Sequence, residues 1–429
     1  MFLGNELQAN DSGFIQLDER KFNMSDIIAL DVSMGKSYVV WYRKNKCLAE
    51  FQLIHSKTGF TRLLRLVKAA INPIVYFEAT GIYSRVVEHF CVVNHLKYCL
   101  LNPLELHLKS ESLRRVKTDK VDAHRIAQTV QVEHFRLKTP WSQAYQQLHE
   151  LGRFYDQRLK DWNYQNNRLL CTMEQTFPNL KQLFTNRTSK LALNVVELFP
   201  HPSLVKGLSR TKLKNKLMKL TDKHISKTKA FKYADRLIQL ANNAYPAVTV
   251  DAIQVDEVRY YSRQMINLTQ KKEQLVKQMK QLAAQLPEYK IFCSFPGIGE
   301  QSAAQLMGEL GDIKRFDNAN QLNAFVGIDI RRYQSGKTSF QDHVNKRGNP
   351  HARKLLYFAV GNMIRQQRHI NSHIVDYYYH LKQKQPQPKK HEVAMVACMN
   401  KTLKCLLSMI KHHTEYRYRY TDSKSLVRI

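Results

Sequence analysis

The sequence predicts an α/β domain followed by two mainly helical domains. Three observations support this: β-type runs near the N-terminus, alternating helix and strand patterns up to about residue 140, and a middle stretch with almost no glycine. A chain of 429 residues has room for two or three domains, each with its own core. We place these domains at residues 24–140, 141–288 and 289–415, and a basic tail at 416–429.

The first domain begins with DIIALDVSMGKSYVVWYRKNKCLAEFQLIHS, from Asp26 to Ser56. A Met-Gly turn and a charged turn separate its apolar and aromatic runs, which predicts three antiparallel strands. The patterns that follow predict a helix, a strand, a helix and a strand, in this order: Thr58–Ala70, INPIVYFEATG ending at Glu78, Tyr83–His95, and Lys97–Leu101. Together these elements predict a mixed sheet covered by helices.

Apolar residues with heptad spacing run through the second half of the helical middle. They are Val258, Met265, Lys272, Met279 and Leu286, with Tyr261, Leu268, Leu275 and Leu282 three residues further on. This spacing predicts a long helix that packs lengthwise on a partner, as in a coiled coil. The partner is either a helix over Gln143–Phe177 or a second copy of the chain.

Positive charge dominates the composition, with 67 Lys and Arg against 36 Asp and Glu and a formal net charge of +31. This balance favours nucleic acid as the partner rather than a membrane. The segment His201–Leu240, with eleven Lys/Arg and two Asp, is either a solvated helical face or a contact with the nucleic-acid backbone. We expect no apolar run near the ~18–20 residues that span a bilayer, and no signal peptide. Seven cysteines without a CxxC pair suit a reducing cytoplasm.

Four acidic residues of the first domain are candidates for a metal site. Asp31 ends the first strand, Glu78 ends the fourth, and Asp119 and Asp122 share one face at the start of a helix. The first and fourth strands can be neighbours in such a sheet, which would bring all four carboxylates together. Their repulsion calls for cations, and Mg²⁺ or Mn²⁺, as two ions, suits oxygen ligands and phosphoryl displacement. Alternatively, the two helix acids only offset the helix dipole.

Several basic residues and glycines are candidates to contact a nucleic-acid backbone. Lys117 and Lys120 flank the helix acids. In FPGIGEQSAAQLMGELGD, Gly297 and Gly299 form a turn of the helix–hairpin–helix type that would bring backbone and a helix N-terminus close to phosphate. A plain helix-packing turn is the alternative. Further candidates lie in the third domain: Arg331, Arg332, Lys337, Lys346, Arg347 and Arg353.

The motifs LDVS, FEATG and KTDKVDAHRIA together resemble the ribonuclease-H-like (RuvC-like) domain of the DEDD insertion-sequence transposases, a family that also holds the Piv-type DNA invertases. PGIG…LMGELGDIKRF, LNAFVGI and QSGKTSFQDHVNKRGNPHARKLLYFAV resemble the C-terminal transposase domain of the same family. The likeness covers roughly residues 25–140 and 290–370. It implies a RuvC-like first domain and a mainly helical transposase domain with a helix–hairpin–helix-like element.

The resemblance also implies an activity. In RRYQSGKTSF, Ser335 matches the family serine that attacks a DNA phosphate to form a phosphoserine link, while the four acids bind Mg²⁺. A serine hydroxyl becomes an effective nucleophile where cations stabilise the charge on phosphorus. Lys346, Arg347 and Gly348 match the family's Lys-x-Gly stretch. The implied partners are donor and target double-stranded DNA, a structured noncoding guide RNA, and further copies of the chain in a homodimer or homotetramer, in the bacterial cytoplasm at the nucleoid. The serine of one protomer would complete the acidic site of another.

Two positions depart from the family pattern. Asp329 and Ile330 follow Gly327-Ile328 where the family has a proline, and Asn345 stands where a serine is common. Three alternatives stay open: a metal-only nuclease of the junction-resolvase kind in which Ser335 is structural, a Piv-type DNA invertase, and a non-catalytic nucleic-acid-binding scaffold.

Overall fold

The computed structural model of the chain describes residues 25–109, 118–133, 135, 137, 142–221, 225–331, 342–384 and 386–418, together with the backbone of 334–335 and 338–339. The chain forms two compact units, Met1–Pro140 and Trp141–Ile429.

A five-stranded mixed sheet forms the centre of the first unit. Its strands are β1 (Ile27–Ser33), β2 (Lys36–Arg43), β3 (Lys46–Ile54), β4 (Ile74–Glu78) and β5 (Tyr98–Leu101). They lie in the order β3-β2-β1-β4-β5. The first three pair antiparallel, while β1 pairs parallel with β4 and β4 parallel with β5. The predicted strands and the adjacency of the first and fourth strands are therefore confirmed.

Helices cover both faces of this sheet. They are α1 (Lys57–Ala69), α2 (Ser84–Val93), α3 (Pro103–Lys109) and α4 (Asp119–Val132). Residues of α1 and α2 share one core with Leu30 and Phe77, and residues of α4 share the other with Ala29 and Tyr76. Burial on both faces explains why β1 and β4 are nearly continuous apolar runs. The sequence analysis missed α3, although Asn102 accepts a hydrogen bond from the Leu104 N–H and Pro103 occupies the first helical position.

Two long helices pack lengthwise in the second unit. They are α5 (Gln143–Thr176) and α9 (Ile253–Ala283). Trp162 Nε1 of α5 donates to Thr269 Oγ1 of α9 at 3.0 Å. Lys272, the polar residue at a heptad core position, lies with its amine 4.6 Å from the centre of the Trp162 ring, and burial lowers the pKa of this amine. The helix α9 therefore has a partner within its own chain.

Shorter helices surround the two ends of this pair. They are α6 (Lys190–Leu198), α7 (Arg210–Lys219), α8 (Lys227–Asn243), α10 (Glu288–Ser294), α11 (Glu300–Leu310), α12 (Ala319–Val326), α13 (Pro350–Arg365), α14 (His373–Gln383) and α15 (His391–Lys411). One core joins α6–α8 to the end of α5 and the beginning of α9. The other joins α10–α15 to the beginning of α5 and the end of α9.

Helix α15 is long and apolar enough to cross a membrane by length and composition. The expectation that no such run exists is therefore wrong. Half of its most apolar stretch is buried inside the protein, and Cys398, Leu403 and Leu406 belong to the core formed by α10–α15. Packing within this core accounts for the apolar composition of the helix.

The chain after α15 returns to the core of the second unit. The ring of Tyr416 packs 4.8 Å from that of Phe295, and its hydroxyl accepts a hydrogen bond from the His373 N–H at 2.9 Å. Tyr418 donates through its hydroxyl to Asp376 at 2.9 Å. The first aromatic residues of the predicted basic tail are thus engaged internally, and residues 419–429 lie outside the described part of the chain.

Two helical glycines in the second unit provide a test of this packing. A Cβ on Gly308 of α11 would lie 2.8 Å from the backbone of α5, whereas a Cβ on Gly152 of α5 would meet nothing within 4 Å. We expect Gly308→Ala to lower the free energy of unfolding by about 1–3 kcal/mol, because the two helices must separate. Gly152→Ala should raise it by about 0.5–1 kcal/mol through helix propensity alone. Urea denaturation followed by circular dichroism measures both, and equal stability of the two variants would contradict the close crossing.

Candidate active site

Asp31 and Glu78 lie on one face of the sheet in the first unit. The parallel register of β1 and β4 pairs the residue before Asp31 with the residue before Glu78. Ala29 and Tyr76 both lie in the core beneath α4. Because side chains alternate across a strand, Asp31 and Glu78, each two residues further on, also face α4. Asp31 and Glu78 are therefore neighbours on this face, toward the carboxyl ends of β1 and β4.

The first turn of α4 contains Asp119 and Asp122. The Thr118 side chain caps this helix by accepting a hydrogen bond from a backbone N–H of the first turn at 3.2 Å. Ala123 and Ile126, four residues after each acid, are buried in the core between α4 and the sheet. Because residues four apart share a helix face, both acids lie on the side of α4 that is turned to the sheet.

Basic side chains offset part of this negative charge. Lys36 Nζ, at the start of β2, lies 3.0 Å from Asp119 Oδ2, and Arg125 Nη1 lies 3.4 Å from Asp122 Oδ1. The sequence analysis missed Lys36, although its position after the Met-Gly turn, opposite Ser33 in the hairpin, places it at the same edge as Asp31.

The four acids offer only hard oxygen donors, the set that Mg²⁺ and Mn²⁺ prefer, so the residues present fit such an ion. Among the described residues, one group of three His, Cys, Asp or Glu side chains has ligand atoms within 4.8 Å of one another, and it lies elsewhere, at Cys47, Glu50 and His124.

Lys120 is held at the sheet by an ion pair with Glu50 of β3. Hydrogen bonds from Lys120 and from His124 lower the pKa of the Glu50 carboxyl. The Lys120 side chain is 53% exposed in this ion pair, so its contact with a nucleic-acid backbone stays a prediction. Lys117 lies outside the described residues.

Ser335 lies in the segment of residues 327–349 that joins α12 to α13 in the second unit. This segment is called the excursion. Strands β6 (Ile330–Arg331) and β9 (His343–Val344) pair antiparallel at its base. Between them, β7 (Gln334–Ser335) pairs antiparallel with β8 (Thr338–Ser339), with Ser335 opposite Thr338. Only the backbone of β7 and β8 is described, and the candidate cations Arg332 and Lys337 lie outside the described residues.

Two glycines in close contact hold the base of this excursion. A Cβ on Gly327 would lie 2.5 Å from Gly348 N, and a Cβ on Gly348 would overlap the backbone of Gly327. Gly327 also ends α12 with φ of 77°, in the left-handed region. The Lys346 N–H donates to Gly327 O at 3.1 Å. The glycine of the Lys-x-Gly stretch is therefore required by packing.

The candidate cations of this region differ in their surroundings. Arg331, Lys346 and Arg347 are exposed. Arg353 is half-buried, and its Nη1 donates to Val326 O at 2.8 Å, so it closes the C-terminal end of α12. Contrary to the sequence-based expectation, the Arg353 guanidinium is committed to the base of the excursion.

Asn345, one of the two departures from the family pattern, is bonded to the residue beside the other departure. Asn345 Nδ2 donates to Asp329 Oδ2 at 2.8 Å, and the Asn345 N–H donates to Asp329 O at 2.9 Å. These two bonds tie the two sides of the excursion together.

A buried carboxylate fixes the start of α13. Glu309 of α11 is 4% exposed and accepts from Arg153 Nε and Nη2 at 2.7 and 2.9 Å. Asn349, the residue after Gly348, donates to Glu309 Oε2 at 2.7 Å and also caps α13. The sequence analysis missed this network, although Asn349 followed by Pro350 is a helix-start signal.

Gly297 and Gly299 have different surroundings. Gly297 has φ of 79°, and a Cβ there would lie 2.6 Å from Ala359 O of α13, so this glycine is needed for helix packing, the alternative weighed above. Gly299 is exposed at the N-terminus of α11. Glu300 in the first turn of this helix pairs with Lys280. Of these two glycines, Gly299 is the one whose backbone is open to a phosphate.

Asn349 and Asn318 both cap helices, and their replacement by alanine should lower stability by different amounts. Asn349→Ala removes the cap of α13 and one donor to the buried Glu309, so we expect a loss of about 2–4 kcal/mol in unfolding free energy. Asn318→Ala removes a comparable cap of α12, whose side chain accepts two backbone hydrogen bonds, and should cost about 1 kcal/mol. Urea denaturation of both variants provides the comparison. Equal losses would show that Asn349 acts as a cap alone.

Comparison with known proteins gives matches at both ends of the chain. A transposase model for DEDD enzymes of the IS110 type matches residues 28–178, and a model described as transposase IS116/IS110/IS902 family matches residues 289–378. The transposase for insertion sequence element IS1111A of Coxiella burnetii is 35% identical over 72 residues, which are 17% of this chain and 20% of that protein. The pilin gene-inverting proteins of Moraxella bovis and Moraxella lacunata are each 24% identical over 260 residues, 60% of this chain and 57% of theirs.

The chain thus spans a fifth of the first relative and 57% of the inverting proteins. The two family models occur in order and cover the segments that contain the four acids and Ser335. The mixed sheet with its helices is consistent with the ribonuclease-H-like domain of DEDD enzymes. The chain belongs to the IS110 family of DEDD insertion-sequence transposases.

Proposed function

We propose that this chain is a DNA transposase or site-specific recombinase that cuts and rejoins DNA with a divalent-metal site and a serine nucleophile. The observation that carries the proposal is the placement of Asp31, Glu78, Asp119 and Asp122 on one side of the first unit, within the segment matched by a DEDD transposase model.

In this proposal the four acids hold Mg²⁺, as two ions. Mg²⁺ bound there would supply Lewis-acid stabilisation of the charge that develops on the scissile phosphate. Lys36 holds Asp119 in place from the edge of the sheet, and the cap of Thr118 fixes the start of α4. These contacts support the first turn of α4, which contains two of the four acids.

Ser335 is the proposed nucleophile. Its Oγ forms a bond to phosphorus while the bond from phosphorus to one deoxyribose oxygen breaks, and the hydroxyl proton passes through solvent to the leaving oxygen. The phosphoserine retains the energy of the broken bond, so a free DNA hydroxyl can later attack it and release the serine. The support for this role is the match of the surrounding segment to the second family model.

The exposed cations of the excursion are the proposed phosphate contacts. Arg331, Lys346 and Arg347 are available to bind the DNA backbone, and we assign the same role to Arg332 and Lys337 from the sequence. The Gly299 turn before α11 would accept a phosphate at a helix N-terminus. Arg353 instead positions the excursion through its contacts with α12.

The proposed partners are double-stranded donor and target DNA, a structured noncoding guide RNA, and further copies of the chain in a dimer or tetramer. The net charge of +31 is compatible with two nucleic-acid partners, and recombination joins two duplexes. We place the protein in the bacterial cytoplasm, where its DNA substrate is.

We also infer three structural assignments from these features. The pair α5–α9 is a coiled coil, supported by the heptad spacing and the lengthwise packing. The helices α10 and α11 with their Pro-Gly-Ile-Gly turn form a helix–hairpin–helix-like element. The domains are residues 24–140, 141–288 and 289–415, with a tail at 416–429.

A second candidate activity is DNA inversion. The observation that favours it is the likeness to two pilin gene-inverting proteins over 60% of this chain. Inversion and transposition share the cleavage and rejoining steps, and they differ in the arrangement of the recombining sites.

The serine mechanism predicts a covalent protein–DNA intermediate. With protein purified from cells that carry the gene and its flanking DNA, so that bound RNA is retained, wild-type protein should link to labelled DNA and transfer strands. Ser335→Ala should lose both activities by about 10³-fold or more while DNA binding persists. Ser339→Ala in the neighbouring strand is the control. Denaturing gels measure the adduct, and full strand transfer by Ser335→Ala would rule out the serine mechanism.

The acid site predicts metal-dependent cleavage. Asp119→Asn or Asp122→Asn should lower Mg²⁺-dependent cleavage by about 10²-fold or more, because each removes a charged oxygen ligand. Asp256→Asn, an exposed acid of α9 that pairs with Arg259, should keep wild-type activity. Cleavage of a labelled plasmid with Mg²⁺ or EDTA is the measurement. Activity that persists in EDTA contradicts the carboxylate cluster.

A further inference from the structure

We propose that Cys47, Glu50 and His124 form a second metal site in the first unit, separate from the four acids, and that it takes Zn²⁺. The three side chains come from β3 and α4 and offer one sulfur, one oxygen and one nitrogen donor, and these ligand atoms lie within 4.8 Å of one another.

A β-bulge brings Cys47 to this place. Tyr42 of β2 pairs with Cys47, whereas the residue before Tyr42 pairs with Ala49, so β3 contains one extra residue between them. In a regular strand, residues three apart face opposite sides of the sheet. The bulge reverses this relation and turns Cys47 to the face on which Glu50 lies. Bulges often re-aim a side chain in this way beside functional sites.

Helix α4 supplies the third ligand from above the sheet. His124 Nε2 lies 2.7 Å from Glu50 Oε2. The Cys47 thiol donates to Ala49 O at 3.5 Å, and burial together with the Glu50 charge raises the pKa of this thiol. Ligation of an ion by this sulfur would release the thiol proton to solvent, because the thiolate is the form that binds metal.

In His124 and Glu50, the ligand atoms that would face away from the ion already have hydrogen-bond partners. Tyr42 Oη lies 2.8 Å from His124 Nδ1, and Lys120 donates to Glu50 Oε1. Such outer contacts orient metal-binding histidines and carboxylates and leave the inner atoms directed at the ion. The remaining atoms of these two side chains are His124 Nε2 and Glu50 Oε2, and with the Cys47 sulfur they make up the proposed ligand set.

The donor set selects the metal. Zn²⁺ accepts sulfur, nitrogen and oxygen ligands together, whereas Mg²⁺ prefers oxygen alone. Three protein ligands leave a fourth position for water. The side chains of Glu50 and His124 are 33% and 21% exposed, so an ion can enter from solvent.

The site would tie α4 to the outer part of the sheet. Strand β3 lies two strands from β1, so the two metal sites are roughly 10 Å apart across the sheet. Because α4 begins with Asp119 and Asp122, a zinc ion at His124 would hold this helix at a fixed height over Asp31 and Glu78.

Cobalt provides a direct spectroscopic test. Co²⁺ is a common substitute for Zn²⁺, and a thiolate ligand gives a charge-transfer absorption that all-oxygen sites lack. We expect metal-free wild-type protein, without a histidine tag, to develop this absorption with one equivalent of Co²⁺ and to lose it when Zn²⁺ is added. Cys47→Ser should abolish the absorption. Cys171→Ser, which changes an exposed cysteine of α5, should keep it.

Two further variants separate this site from the acid site and from misfolding. Asp119→Asn combined with Asp122→Asn should keep the absorption, because these acids are not ligands of the second site. Tyr42→Phe should keep the absorption with an affinity for Co²⁺ that is about 10–100-fold weaker, since it removes only an outer contact. The proposal is overturned if wild-type protein shows no charge-transfer absorption, or if folded Cys47→Ser retains it.

Discussion

The parallel pairing of β1 with β4 is the constraint on which the candidate active site depends. Its register sets Asp31 beside Glu78, and strand alternation turns both toward α4. A slip of one residue would move one acid to the opposite face of the sheet. The apolar residues of β1 and β4 prevent such a slip, because both faces of these strands are buried. The same core fixes α4, and with it Asp119 and Asp122.

The second unit holds the loop that contains Ser335 on a closely packed base. Three contacts lie where the excursion leaves and rejoins the helices. They are the contact between Gly327 and Gly348, the Arg353 bond to α12 and the Asn349–Glu309 bond. Loops that are supported in this way position functional side chains better than free loops do. The polar groups of this region therefore fall into two sets, exposed cations and half-buried groups that support the loop.

Local patterns were sufficient to predict the strands of the sheet, the adjacency of β1 and β4 and the helical middle. They also predicted that Glu78 ends a strand and that Asp119 and Asp122 lie at the start of a helix, since these features depend on neighbouring residues. The prediction that Asp31 ends the first strand is wrong, because β1 continues in its hairpin with β2 to Ser33. Local patterns could not predict the Lys36–Asp119 pair, the contacts of His124 with Glu50, or the engagement of Arg353. Each of these joins residues far apart in sequence, and a single bulge or helix crossing decides it. For α15, composition alone does not distinguish an apolar core helix from a membrane-spanning helix, because both have the same length and hydropathy.

The convergence of the four acids around a divalent ion is the central claim, and a crystal soaked in Mn²⁺ tests it most directly. Anomalous scattering from manganese locates the ion independently of the protein coordinates. The account predicts a strong anomalous peak bounded by carboxylate oxygens of Asp31, Glu78 and the first turn of α4. A fully soaked crystal with no peak there, and with these side chains turned to separate solvent regions, would contradict it.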